Sequence, residues 1–174
     1  LVPVTLELGG KSPVVISRSA DMAVTAQRVM MGKTLNAGQI CLAPDYVLVP
    51  DERVDEFVDA ASGAIKAMYP TLLDNPDYTS IVNQRHFDRI NGYVDEARAR
   101  GVRVVEINPA GEDFRQQPHH RIAPTLIVNP PDHSVLIGET TCELGDEKWR
   151  VTDAVKEQII KDLEIENICI RAQI

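Results

Sequence analysis

Apolar residues at Val2, Val4, Leu6 and Leu8 alternate with Pro3, Thr5 and Glu7, the period of a half-buried strand. That run ends at Gly9-Gly10, where a backbone can approach a ligand closely. Ser12-Pro13 leads into Val14-Val15-Ile16, a second short strand. Ser19 or Asp21 can cap a helix over residues 22–35, with Met22, Ala26, Val29 and Met30 on one face. Asn36-Ala37-Gly38 stops it, Cys41 follows in a turn, and residues 46–49 read as strand. Residues 51–68 are strongly helical, with Val54, Phe57, Val58, Ala61 and Ile65 at helical spacing before Pro70. Loop is expected over 73–79. A helix follows over 86–100, with Phe87, Ile90, Val94 and Ala97 inward and Gly101 as its terminator. A strand over 102–107, a long polar loop over 109–124 and a strand at 125–128 complete this part. Strands alternating with helices predict an α/β fold, a mostly parallel sheet with helices on both faces.

The pattern changes near Ile137. Residues 137–174 hold 9 acidic and 5 basic side chains, half of the net charge of −8. Thr152 can cap a helix carrying Val155, Ile159, Ile160 and Leu163, and residues 165–170 alternate as a strand. The chain is therefore expected to divide into a unit at 1–136 and a divergent tail at 137–174, helix then strand.

With 174 residues there is enough chain for one buried core. No Lys/Arg cluster offers the concentrated positive charge that phosphate neutralisation needs, so nucleic acid is not an expected partner. No apolar stretch approaches the roughly 18 residues of a membrane span, and no basic-then-apolar leader opens the chain. Three widely spaced cysteines suit neither a disulfide framework nor a zinc site, and a reducing cytoplasm fits them best. His119-His120 are adjacent without a nearby third ligand and read as loop, so no metal is expected. His86 reads as a surface residue near a helix start.

Two segments carry candidate chemistry. Glu7 opens Glu7-Leu8-Gly9-Gly10-Lys11-Ser12-Pro13, and Cys41 lies in Asn36-Ala37-Gly38-Gln39-Ile40-Cys41-Leu42-Ala43-Pro44. A thiol and a carboxylate 34 positions apart (41 − 7), each near glycines, can serve as nucleophile and water-activating base. In isolation Cys41 reads as a small buried hydrophobe and Glu7 as a solvated strand residue. Gly9 and Gly10 read either as a tight turn or as room for a flat ligand. Asn36 and Gln39 are expected to shape the cysteine loop, and Lys11 to make a structural ion pair.

Taken together, the two segments resemble the glutamate and cysteine signatures of the aldehyde dehydrogenase superfamily. Asn83-Gln84-Arg85-His86-Phe87 and Ile122-Ala123-Pro124-Thr125-Leu126 are similar to further family segments. Residues 44–50 and 75–81 look most like the coniferyl aldehyde dehydrogenase branch. The resemblance covers about residues 1–136; beyond it Ile137-Gly138-Glu139-Thr140-Thr141 matches nothing in the family pattern, as though the end were replaced by fusion or frameshift. It implies Cys41 as nucleophile, through a thiohemiacetal and then a thioester. It also implies Glu7 as general base and the Cys41 backbone amide as an oxyanion donor. Gly9 and Gly10 would lie on the nicotinamide side of NAD or NADP, with an aldehyde as substrate and a homo-oligomer as the family's usual assembly. The family's cofactor-binding half is expected to precede Leu1. Little dehydrogenase turnover is therefore expected of this chain alone. The alternatives are a non-catalytic remnant that associates with another chain and, more weakly, a cysteine-dependent esterase.

Overall fold

The computed structural model describes residues 3, 5, 10–130 and, as backbone, 165–170; the statements below concern these. The expected first strand, Glu7, Gly9, Cys142, Trp149 and the expected tail helix lie outside the described residues.

The first described strand, β1 (Ser12–Val15), begins at Ser12, two residues before the apolar run alone suggests. Helix α1 (Met22–Thr34) is capped by Asp21, whose Oδ1 accepts from the Val24 N–H at 3.1 Å. A 3₁₀ turn (Leu35–Gly38) then leads through the cysteine segment to β2 (Pro44–Pro50). The helix expected over 51–68 opens with a 3₁₀ turn at Asp51–Arg53 and becomes α2 (Val54–Met68), with Asp55 and Glu56 at its positive end. Helix α3 (Gln84–Ala99) starts at Asn83, whose side chain accepts from the His86 N–H at 3.0 Å. It closes where Gly101 takes φ +74°: Gly101 N–H donates to Arg98 O and Val102 N–H to Ala97 O, each at 3.0 Å. These two bonds are the reverse-turn cap that a left-handed glycine permits. Strands β3 (Arg103–Glu106), β4 (Thr125–Val128) and β5 (Ile165–Ile170) follow.

The described strands form one sheet in the order β1-β2-β5-β4-β3. β1 and β2 pair in parallel, as a strand–helix–strand unit requires. β5 runs antiparallel to both β2 and β4, and β3 antiparallel to β4. β1, β2 and β4 thus share one direction, and β3 and β5 reverse it. Proline is placed accordingly: Pro13 lies on the edge strand β1, where a missing N–H costs least.

Helices cover both faces, as expected. On one, α1 and α2 bury Met22, Ala26, Met30, Phe57, Ala61 and Ile65 against Val47 and Val49 of β2 and Leu126 and Val128 of β4. On the other, Ala97 and Tyr93 of α3 pack against Ile127. The two-residue period of β4 sends Leu126 and Val128 one way and Ile127 the other. Among the described residues no helix is long and apolar enough to cross a membrane.

Candidate active site at the cysteine turn

Cys41 lies in the turn between the 3₁₀ segment and β2, exposed and with a free thiol. Its approach is unusual. Asn36, Ala37 and Gly38 take φ values of 50°, 56° and 75° in succession, three left-handed residues of which one is glycine. That geometry reverses the chain at the C-terminal end of α1.

Gln39 holds the reversal in place. Its backbone N–H and its Nε2 each donate to Asn36 O at 3.1 Å, and Nε2 also reaches Ser80 O at 3.1 Å. Its Oε1 accepts from the Val82 N–H at 2.9 Å. Asn36 Nδ2 donates back to Gln39 O at 3.3 Å. The loop-shaping role expected of Asn36 and Gln39 is therefore present as hydrogen bonds. Beneath them Ala37 is wholly buried with Ile81, Ile90 and Ile122. The turn consequently rests on the 80–82 segment and α3, and Ala43 N–H closes it on Ile40 O at 3.0 Å.

Gly10 faces this turn. A β-carbon there would lie 3.2 Å from the carbonyl oxygen of Cys41, tighter than an ordinary contact. The segment carrying the glycines is thus brought against the segment carrying the thiol. Glu7 and Gly9 lie outside the described residues, so the described geometry joins Gly10 to Cys41 and extends no further.

Beside the turn is a charge cluster that sequence reasoning missed. Asp45, 1 % exposed, lies between Lys11 (Nζ to Oδ2, 3.5 Å) and Lys33 (Nζ to Oδ1, 4.0 Å), and Lys33 is fully buried. The expected structural ion pair of Lys11 is this one. A signal for Lys33 existed: it continues the buried stripe Met22, Ala26, Val29 and Met30 by one turn.

A cavity of about 460 Å³ among the described residues lies elsewhere. It is lined by Phe87, Val94, Arg98, Phe114 and Arg121 among others, and by no residue of the cysteine turn. Its guanidiniums serve the fold: Arg98 pairs with Asp95 and Glu106, and Arg121 donates to the carbonyls of Leu72 and Leu73. His120 shares a hydrogen bond with Gln84 Oε1 at 3.0 Å and its ring packs near Phe87.

As for a nicotinamide cofactor, the bare backbone of Gly10 is what its close packing on the Cys41 carbonyl requires.

Residues 1–142 match the aldehyde dehydrogenase family, and the chain belongs to that family. It is 66 % identical over 139 residues to a probable coniferyl aldehyde dehydrogenase of Caulobacter vibrioides, covering 80 % of this chain and 29 % of that protein. A coniferyl aldehyde dehydrogenase of a Pseudomonas species is 63 % identical over the same length and coverage. Among solved structures, the substrate-bound state of Staphylococcus aureus AldH superposes with a TM-score of 0.69 at 34 % identity, covering 80 % of this chain and 29 % of that one. The chain therefore spans less than a third of the length of these relatives.

Proposed function

We propose that this chain carries the covalent-catalysis half of an aldehyde-oxidising site, with Cys41 as nucleophile and Glu7 as general base. The observation that supports this best is the packing of Gly10 against the Cys41 carbonyl, which brings the two signature segments to one place. Cys41 is exposed, so its sulfur can reach a carbonyl carbon. Addition of the thiolate to that carbon holds the substrate as a thiohemiacetal, and the backbone N–H of Cys41 donates to the oxygen that becomes negative. Glu7 takes a proton from the water that later cleaves the acyl–sulfur bond. When bound, NAD or NADP supplies the hydride acceptor, and Gly9 and Gly10 are the residues of this chain that would border it. The names of the relatives favour an aromatic aldehyde of the coniferyl type as substrate.

Because the chain spans 29 % of these relatives, the 174-residue polypeptide alone is expected to show little dehydrogenase turnover and weak NAD binding. A fluorescence titration with NAD tests this, and micromolar affinity would refute it. The thiol chemistry is separable, because hydrolysis of an activated ester needs no cofactor. Nitrophenol release that survives in Cys142→Ala but falls to the uncatalysed rate in Cys41→Ala supports the nucleophile; release that survives Cys41→Ala removes it.

A second reading, association with another polypeptide, has its own support. Met31, Leu35, Leu42 and Val82 are large apolar side chains left 58–77 % exposed on α1 and around the cysteine turn. Sedimentation analysis over a range of concentrations decides this reading, and a monodisperse monomer throughout counts against it.

A further inference from the structure

We propose that the buried charges Lys33, Asp45 and Lys11 are positioning residues for the Cys41 thiol, forming the joint that seats the Gly10 segment on the cysteine turn; this rests on the reading of Cys41 as a nucleophile. The three residues come from three pieces of chain that flank Cys41. Lys11 directly follows Gly10, Asp45 comes four residues after Cys41, and Lys33 is on the last turn of α1 before the left-handed reversal. Asp45 reaches both cations, at 3.5 and 4.0 Å, from a site where it and Lys33 are almost wholly removed from water.

The sheet supplies an independent sign that Asp45 is placed for this purpose. In the β1–β2 ladder Ser12 pairs with Pro44 and Pro13 with Tyr46, so Asp45 is the extra residue of a β-bulge. A bulge costs a ladder position and re-aims a side chain, a device that recurs beside active sites. Here the re-aimed side chain is the anion shared by the two lysines. Pro44, its neighbour, packs its ring against Gly32, 3.4 Å from where a β-carbon of that glycine would stand, so the start of β2 is held against α1 as well. With Asp45 in place, the carbonyl of Cys41 and the backbone of Gly10 are pinned at a close-packed distance. Without the pair, Lys11 loses its charge contact to β2, and the seat of the glycine segment on the cysteine turn loosens next to the β1–β2 ladder.

The test reads the thiol itself and needs no turnover. In a chain carrying Cys142→Ser and Cys169→Ser, the rate of Cys41 alkylation by iodoacetamide is followed over roughly pH 6 to 10, which brackets an ordinary thiol. Lys11→Gln removes the link to Asp45 while leaving the buried Lys33–Asp45 pair intact, so it is the variant expected to stay folded. It is expected to change the limiting rate of Cys41 by about twofold or more, or to move its pH midpoint by about 0.4 unit or more, the low end of coupling between neighbouring residues. Lys11→Arg, which keeps the charge, is expected to restore the parent profile, and all variants are expected to coincide in denaturant. An unchanged profile in folded Lys11→Gln, or a change that Lys11→Arg does not reverse, overturns the proposal. Loss of the nucleophile reading would appear instead in the ester assay with Cys41→Ala, so the two failures are distinguishable.

Discussion

Ala37 sits at φ 56° and is fully buried, so two effects of similar size meet in one residue. The left-handed conformation costs an alanine about 1–2 kcal/mol, which glycine would recover. Removing its methyl from the cluster with Ile81, Ile90 and Ile122 forfeits about 0.8 kcal/mol. Ala37→Gly is therefore expected to shift urea-unfolding stability by no more than about 1 kcal/mol. Ala37→Val, which adds branching where the backbone is left-handed and the core closed, is expected to lose more than about 2 kcal/mol. A larger contrast is expected at the charge cluster. Asp45→Ala removes the buried anion that Lys11 and Lys33 share, and a loss of about 3–5 kcal/mol is expected. Lys33→Met leaves Asp45 with Lys11 and is expected to lose clearly less. At the surface, the Arg115 side chain and backbone N–H bonded to Asp113 hold its carboxyl down from an ordinary 3.8 to about 2. A carboxylate depressed in the folded state stabilises above its unfolded pKa, and the contribution fades as pH falls from about 3.8 toward 2. Carbon NMR is expected to give an Asp113 midpoint near 2, rising in Arg115→Gln but staying below the ordinary value, because the backbone N–H of residue 115 remains.

The caps allow a direct check on individual elements. Asp21→Ala and Asn83→Ala each remove a side-chain acceptor from a helix start, and each is expected to cost about 1 kcal/mol in chemical unfolding. Asp21 was legible in the sequence as one of two candidate caps, with Ser19, because a cap is a local signal next to an apolar stripe; Asn83 was not read as a cap, the helix being expected to begin at residue 86. Also legible were β4 at Thr125–Val128, a short apolar run before Pro130-Pro131, and β5 at Ile165–Ile170, whose bounds agree with its alternation. Boundaries set by neighbours were less legible. β1 begins at Ser12 because it pairs with Pro44, and β2 begins at Pro44 for the same reason. The charge cluster escaped because Lys33 sits on an apolar stripe where a cation is not sought, and because its partner Asp45 lies twelve residues away in a bulge that only pairing reveals. In the candidate site, the loop-forming residues Asn36, Gly38 and Gln39 were readable as a turn before a strand, whereas the ties of Gln39 to Ser80 and Val82 depend on segments 41 and 43 positions away.

At the scale of the whole molecule the sheet order is the least local property. The alternation of strands and helices is written in the sequence, but not that the latest described strand lies between β2 and β4. Ile168 is registered with Val47 on one side and Val128 on the other, so its backbone belongs to two ladders. Ile168→Pro is expected to destabilise the chain by about 3 kcal/mol or more, measurable as a lowered urea midpoint, whereas Pro13 is tolerated on the edge. Because β5 occupies the middle of the sheet, synthesis on the ribosome and completion of the fold cannot proceed in step. Until translation passes Ile170, β2 and β4 both present unsatisfied backbone edges, and the growing chain must be shielded from self-pairing until then.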